Sequence, residues 1–217
     1  TRPEKAVGDP SRWEITEKAL AEALEANSVP YQIAERAGAF YGPKIDVHVK
    51  DAIGRRWQLS TIQLDFILPE RFELEYTAAG NVSERPYMIH CAKAGSIERF
   101  VGVLVEHYAG AFPMWLAPVQ ISIIPVADRH IEYANTVSTR LTEASLRVEV
   151  DASNETVGDK IRKALTQKHP AVIVVGDNDV ENETVGLRLY GDDRDTRDVP
   201  IVEAVDGLVD LARKPGN

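Results

Sequence analysis

The sequence has one cysteine, Cys91, and no excess of positive charge, and no apolar run approaches the ~20 residues of a membrane-spanning helix. A single cysteine excludes an internal disulfide framework and fits a reducing compartment. The missing apolar run, with no charged-then-apolar leader, gives the expectation of a cytoplasmic chain without a membrane partner. The chain opens TRPEK rather than with Met, as expected of a piece cut from something longer or of a processed product. With 25 Lys and Arg against 34 Asp and Glu, the net charge of −9 argues against broad, nonspecific nucleic-acid binding. A local basic patch on an acidic protein remains compatible with RNA. GxGxxG and P-loop patterns are absent, which removes the usual signatures for dinucleotide and nucleoside triphosphate cradles.

What is present is an ordinary globular balance, 44% hydrophobic and 27% charged over 217 residues. That length suits two domains of about 100 residues, each with its own core. The most informative stretch is Trp57 to Phe66, WQLSTIQLDF, a strand pattern carrying Gln58, Gln63 and Asp65 among apolar neighbours. A buried amide without partners costs about 1–3 kcal/mol, so these side chains are either satisfied internally or turned toward a polar ligand in a cleft. Residues five apart on a regular strand face opposite sides. Gln58 and Gln63 can line one site only if the strand bulges or twists between them.

Before this stretch, Ser11 to Asn27 reads as a helix with Ser11 as N-cap and Glu14 completing a capping box. Its apolar face is Ile15, Ala19, Leu20, Ala23 and Leu24, expected to pack on a sheet. Tyr31 to Ala34 is a short strand candidate. Lys44 to Lys50 alternates Ile45, Val47 and Val49 with Asp46 and His48, and the turn residues Asp51 to Gly54 make it half of an antiparallel hairpin. Pro69 to Val82 reads as irregular. Pro86 to Ala92 is a strand and Ser96 to Tyr108 a helix, whose first N–H groups would favour an anion beside Arg99. On the residues alone, Ser96 as a plain N-cap and Arg99 paired with Glu98 or Glu106 explain the pattern equally well.

Gly110 to Pro118 is too apolar for a free linker and is expected to pack between domains. Beyond it, the continuous apolar strands Val119 to Val126 and Ala171 to Val175 alternate with helices at Ile131 to Ser145, Thr156 to Gln167 and Pro200 to Arg213. Shorter strands are expected at Arg147 to Val150 and Val185 to Leu189. This is a βαβ pattern buried on both faces. The expectation is α+β then α/β, with domains at 1–115 and 116–217. Asp151 and Asp177 sit at strand ends, as ligand groups or as helix caps. Lys160, Arg162, Lys163 and Lys168 form a modest basic face that reads as solvated surface.

WQLSTIQLDF, preceded by FYGPKID (Phe40 to Asp46) and followed by MIHCAKAGSIERF (Met88 to Phe100) and HYAGAFPMWLAPVQ (His107 to Gln120), resembles the second half of threonyl-tRNA synthetases, a class II aminoacyl-tRNA synthetase family. The resemblance covers almost the whole chain. It implies part of the class II antiparallel catalytic fold followed by an α/β anticodon-binding domain. It further implies a ligase that activates threonine with ATP and Mg²⁺ and passes it to tRNA(Thr), as a homodimer in complete form. Tyr41 and Gln63 fall where the family contacts threonine, and Gln58, Ser96 and Arg99 where it contacts ATP. Gly95, Ser96, Glu98 and Arg99 look like motif 3, whose arginine lies against the adenine. His90 matches one of three ligands of the zinc that receives threonine. Asn154, Arg162, Asp179 and Arg188 resemble the residues that touch the anticodon.

The chain also departs from that pattern. By the resemblance, the other two zinc ligands and motifs 1 and 2 belong upstream of Thr1. One imidazole cannot hold tetrahedral Zn²⁺ and Cys91 points the other way along a strand, so no bound zinc is expected in this chain alone. His48, His107, His130 and His169 show no ligand spacing. Cys91 stands where the family usually has arginine, and Lys93-Ala94 replaces an apolar pair. Two readings remain: part of a working threonine–tRNA ligase, or a truncated inactive paralogue that binds tRNA or a protein. A catalytic domain that has lost packed strands should expose an apolar patch.

Overall fold

The computed structural model describes residues 1–192 and 194–214. The first helix, α1 (Pro10–Ala26), begins where the Asp9 carboxylate accepts hydrogen bonds from the backbone N–H and hydroxyl of Ser11. Asp9, rather than Ser11, is therefore the cap. Its full negative charge suits the helix N-terminus, and Pro10 occupies the first position, where no N–H is needed. The buried stripe also differs from expectation. Trp13 and Thr16 are the buried residues of α1, while Ile15 is 59% exposed. The Trp13 indole decides the rotation of the helix: it packs edge-on to Phe66 with ring centroids 5.7 Å apart and donates to the Val7 carbonyl at 2.9 Å.

The chain divides into two compact units, Thr1–Leu104 and a second from Val105 onward. In the first, β1 (Lys44–Lys50), β2 (Arg56–Asp65) and β5 (Met88–Ala92) form an antiparallel sheet in the order β1-β2-β5. Asp51 closes the β1–β2 turn by accepting from the N–H groups of Ile53 and Arg55 at 3.1 and 2.8 Å. Between β2 and β5 lie α2 (Leu68–Arg71) and a small hairpin of β3 (Tyr76–Ala78) and β4 (Val82–Glu84), in the region expected to be irregular. The strand expected at Tyr31 to Ala34 is not formed. That segment lies exposed, with its Ala34 carbonyl taking a bond from the Thr1 amine instead of a ladder partner. After β5 comes α3 (Ile97–His107), which contains no buried residue. Val47, Ile62 and Ile89, on the sheet face that also carries Cys91, are exposed as well.

In the second unit β6 (Ile121–Pro125) leads through a 3₁₀ turn at Asp128–His130 to α4 (Ile131–Glu143), β7 (Val148–Val150), α5 (Val157–Thr166) and β8 (Ala171–Val175). β6, β7 and β8 pair in parallel. The chain then makes α6 (Asp177–Asn182), β9 (Thr184–Leu189), β10 (Thr196–Pro200) and α7 (Ile201–Arg213), and the sheet order is β10-β9-β8-β6-β7. β9 and β10 run antiparallel to their neighbours. The sheet is therefore mixed. A six-residue α6 ending at Glu183 with φ 54° is too short for a parallel crossover, so the chain turns straight back along β8.

The two sheet faces are covered unequally. One carries Ile121, Ile123, Ile173 and Val185 under Leu141 of α4 and Leu208 of α7. The other carries Ile124 and Val172, packed against Ala164 of α5 alone. The connector before β6 is held to this second unit. Gln120 donates to the Met114 carbonyl and accepts from the Arg147 N–H, both at 2.7 Å, and the Arg147 guanidinium reaches the carbonyls of Ala117 and Trp115.

Candidate functional site

Gln58 and Gln63 share one face of the first unit's sheet because β2 is bulged. Pairing runs from Lys44 opposite Gln63 to Val47 opposite Ser60 and then steps to His48 opposite Gln58, so Leu59 is extra. One extra residue inverts the alternation. Gln58 and Gln63, five apart, thereby come onto the same face, together with Asp46 and Thr61. Across β2, Gln63 pairs with His90 and Ile62 with Cys91, which places His90 on this polar face and Cys91 on the other.

The polar face is wired in two groups. In one, the Tyr41 hydroxyl donates to Gln63 Oε1 at 2.6 Å, the Tyr41 and His90 rings meet edge to face at 6.1 Å, and His90 Nε2 lies 3.0 Å from Asp65 Oδ2. Asp65 is fully buried, and its other oxygen accepts from the N–H groups of Ile67 and Leu68. Burial, and next the nearby Asp65 charge, raise the Tyr41 hydroxyl above the ordinary phenol range, so it stays a donor. In the other group, Gln58 Nε2 donates to Asp46 Oδ1 at 2.6 Å and Thr61 Oγ1 at 2.8 Å, while Lys44 Nζ reaches Asp46 Oδ2 at 2.5 Å. Both glutamines are thus half-satisfied within the sheet. Gln58 keeps its amide oxygen, and Gln63 its amide nitrogen, without a partner among the described residues.

The bulge also receives the strand-to-helix junction. Ala94 N–H donates to Ser60 Oγ at 3.0 Å, and Gly95, at φ 60°, sits so close that an added Cβ would lie 2.4 Å from the Leu59 carbonyl oxygen. Ser96 caps α3 by accepting from the Arg99 N–H at 3.3 Å and bonds to Glu98 at 2.6 Å. Arg99 reaches back to the Gln58 carbonyl at 2.7 Å, a contact that neither pairing considered from sequence provides. Gln58, Ser96 and Arg99 are consequently brought together. Asp46, Thr61 and Asp65 complete the face; Asp46 and Thr61 escaped sequence reasoning as site residues, and their signal was polarity on strand positions facing the glutamines.

The donors present do not make a zinc site. His90 gives Nε2 to Asp65, a bond that leaves Nδ1 able to ligate, but among the described residues no three His, Cys, Asp or Glu side chains converge as a metal site. No chemical step is therefore derived through a metal at this position.

In the second unit, α5 covers only part of its sheet face and leaves a cleft of about 320 Å³. Val172, Val174 and Gly186 of the sheet and Val126 line its apolar part, with Val157 and Ile161 of α5 as the wall; its rim carries Asn178, Asp179, Arg188, Asp195, Arg197 and Asp198. Asp179 and Arg188 both line it. Asp179 is also structural: its oxygens accept from the Gly176 N–H at 2.9 Å and the Thr184 hydroxyl at 3.0 Å. Asn154 and Arg162 are outside the lining. Asn154 is in the loop before α5, and Arg162, 79% exposed, pairs with Asp159 beside the wall that Ile161 forms.

The basic face expected around α5 is largely spent. Lys160 is buried, Lys163 bonds Asp151 at 3.2 Å, and Lys168 donates to the Ala109 carbonyl. Asp177 joins the ends of β6 and β8 by accepting from Arg129 Nε and Nη2 at 2.7 and 2.6 Å, with buried His130 Nε2 at 2.8 Å. His130 Nδ1 accepts the Ala127 N–H, so in the neutral ring Nε2 carries the proton given to Asp177. This is a loop clamp rather than a ligand site.

A family model described as the tRNA synthetase class II core domain (G, H, P, S and T) matches residues 10–108, and the anticodon binding domain matches residues 120–211. The antiparallel sheet followed by an α/β unit agrees with these two matches, which place the chain among the class II aminoacyl-tRNA synthetase families. The chain is 56% identical over 191 residues to the threonine–tRNA ligase of Sulfurihydrogenibium sp. (strain YO3AOP1), covering 88% of this chain and 30% of that protein. It is 47% identical over 216 residues to threonine–tRNA ligase 2 of Bacillus subtilis (strain 168), covering 100% of this chain and 34% of that one. The crystal structure of the RNA binding domain of threonyl-tRNA synthetase from Cryptosporidium parvum Iowa II superposes with a TM-score of 0.89 at 32% identity, over 100% of this chain and 55% of the other. The chain belongs to the threonine–tRNA ligase family, and spans about a third of the length of these curated relatives.

Proposed function

We propose that this chain is the part of a threonine–tRNA ligase that completes the amino-acid and nucleotide sites and recognises the anticodon of tRNA(Thr). The observation that carries the reading is the β2 bulge at Leu59, which turns both glutamines to one face and seats the Arg99 junction against it. Tyr41 and Gln63 hold threonine, with the Tyr41 hydroxyl engaging the Gln63 amide oxygen and leaving its N–H₂ as a donor. Gln58, Ser96 and Arg99 hold ATP, which brings its own Mg²⁺.

The reaction needs positioning more than side-chain chemistry. A threonine carboxylate oxygen attacks the α-phosphorus of ATP, the bond to the bridging oxygen breaks, and pyrophosphate leaves with that electron pair. Groups locked by their own hydrogen bonds do not have to reorganise as charge develops. The exposed side of the sheet and the uncovered apolar face of α3 are where the remainder of a catalytic domain would pack. Cys91 lies on that side, so its thiol removes nothing from the polar face. In the native ligase, Arg99→Ala should raise the KM for ATP in threonine-dependent ATP–pyrophosphate exchange. An unchanged KM would remove Arg99 from the nucleotide site.

A further inference from the structure

The rim of the second-unit cleft contains more than the residues expected to touch RNA. β10 pairs with β9 through Thr196 opposite Leu187 and then Val199 opposite Val185, so Arg197 and Asp198 together oppose Gly186 alone. Asp198 takes φ 56° to close this bulge. Asp195, just before β10, and Arg197 both line the cleft with Arg188. Arg188 donates its Nε to the Asp195 carboxylate, and their side chains are 25% and 34% exposed. A guanidinium held by Nε has its plane fixed and its two terminal nitrogens left as a paired donor edge. Among the described residues those nitrogens have no partner, and the Arg197 guanidinium has none either.

We propose that the cleft rim formed by Arg188 of β9, Asp195, and Arg197 of β10 is part of the RNA-reading surface. Asp195 is a positioning residue that orients Arg188 toward a nucleobase edge, and Arg197 contacts the phosphate backbone of the same single-stranded segment. The apolar floor of the cleft accepts the face of an unstacked base, as single-stranded RNA recognition requires. The two arginines then have different duties. An oriented paired donor discriminates between base edges, whereas an untethered cation adds sequence-independent affinity that salt screens. Asp179 and Asp198 share the rim, so its charge is not uniformly positive. The inference rests on the anticodon-binding reading of this unit.

The test is fluorescence anisotropy of the 217-residue chain with a labelled tRNA(Thr) anticodon stem-loop and with loops carrying single anticodon substitutions, across a salt series. Arg197→Ala should weaken all loops alike and flatten the dependence of log K on log salt by about 0.7, the release expected for one phosphate contact on a single strand. Asp195→Ala should lower the preference for the cognate loop at least about fivefold. Asp195→Asn should retain most of that preference, because its amide oxygen still accepts from Arg188 Nε. Circular dichroism melts show that each variant is folded. Cognate binding by the wild type with an unaltered salt slope in Arg197→Ala, or unaltered base preference in Asp195→Ala, overturns this inference and leaves the anticodon reading standing. Absence of any loop binding by the wild type overturns both.

Discussion

Gly95 is the point at which the nucleotide junction rests on the bulge, and replacing it with alanine separates two costs. An L-residue forced to positive φ costs about 1–2 kcal/mol. Gly54, at φ 85° in the β1–β2 turn, has nothing within 4 Å of an added Cβ, so Gly54→Ala should cost only this amount. At Gly95 the same Cβ would lie 2.4 Å from the Leu59 carbonyl oxygen and 3.2 Å from its carbon. That obstacle is backbone, and relieving it means moving the junction off β2, with an overpacking cost of about 1–3 kcal/mol in addition. Gly95→Ala should therefore destabilise the first unit by about 2–5 kcal/mol, clearly more than Gly54→Ala. Urea unfolding of both variants, followed by Trp13 and Trp57 fluorescence, measures the difference. Equal losses would refute the close approach, and with it the claim that the bulge seats Ser96 and Arg99.

In the second unit, Leu141→Ala removes a fully buried side chain between α4 and the sheet and should cost about 2–5 kcal/mol by denaturant melt. Thr156 caps α5 by accepting from the Asp159 N–H, so Thr156→Ala should cost about 1 kcal/mol and Thr156→Ser much less in the same assay. Hydrogen bonds from Arg129 and then His130 hold the Asp177 carboxyl well below its ordinary 3.8. A depressed folded-state pKa contributes stability that is complete above that ordinary value and drains away as pH falls below it. Melting the wild type and Asp177→Asn from pH 6 to the acid side should show a smaller acid slope in the variant; parallel curves would exclude the clamp.

More of the site's geometry than of its surroundings was legible in the sequence. The spacing of Gln58 and Gln63, five residues apart, lets them share a face only across an interrupted strand, because alternation would otherwise separate them. The location of the interruption was not readable: Leu59 is an ordinary strand residue, and its role as the extra one follows from pairing with β1. Asp9 won the cap from Ser11 by charge, and Trp13 won the rotation of α1 by size, both outcomes of tertiary context over local pattern. α6 and β10 were missed because DNDVEN and TRDVP carry no apolar periodicity. The cleft depends on what α5 fails to cover, which no local window contains. Only Asp179 and Arg188, of the four residues carried over by resemblance, line it.

The most direct measurement is the intact mass of the native product carrying this chain, followed by threonine-dependent ATP–pyrophosphate exchange on that species and on its Gln63→Ala variant. The account predicts a product longer than 24.0 kDa, exchange that requires threonine, and a rise in threonine KM when the Gln63 amide is removed. A native product of 24.0 kDa without exchange, or exchange with threonine KM unmoved by Gln63→Ala, would contradict it.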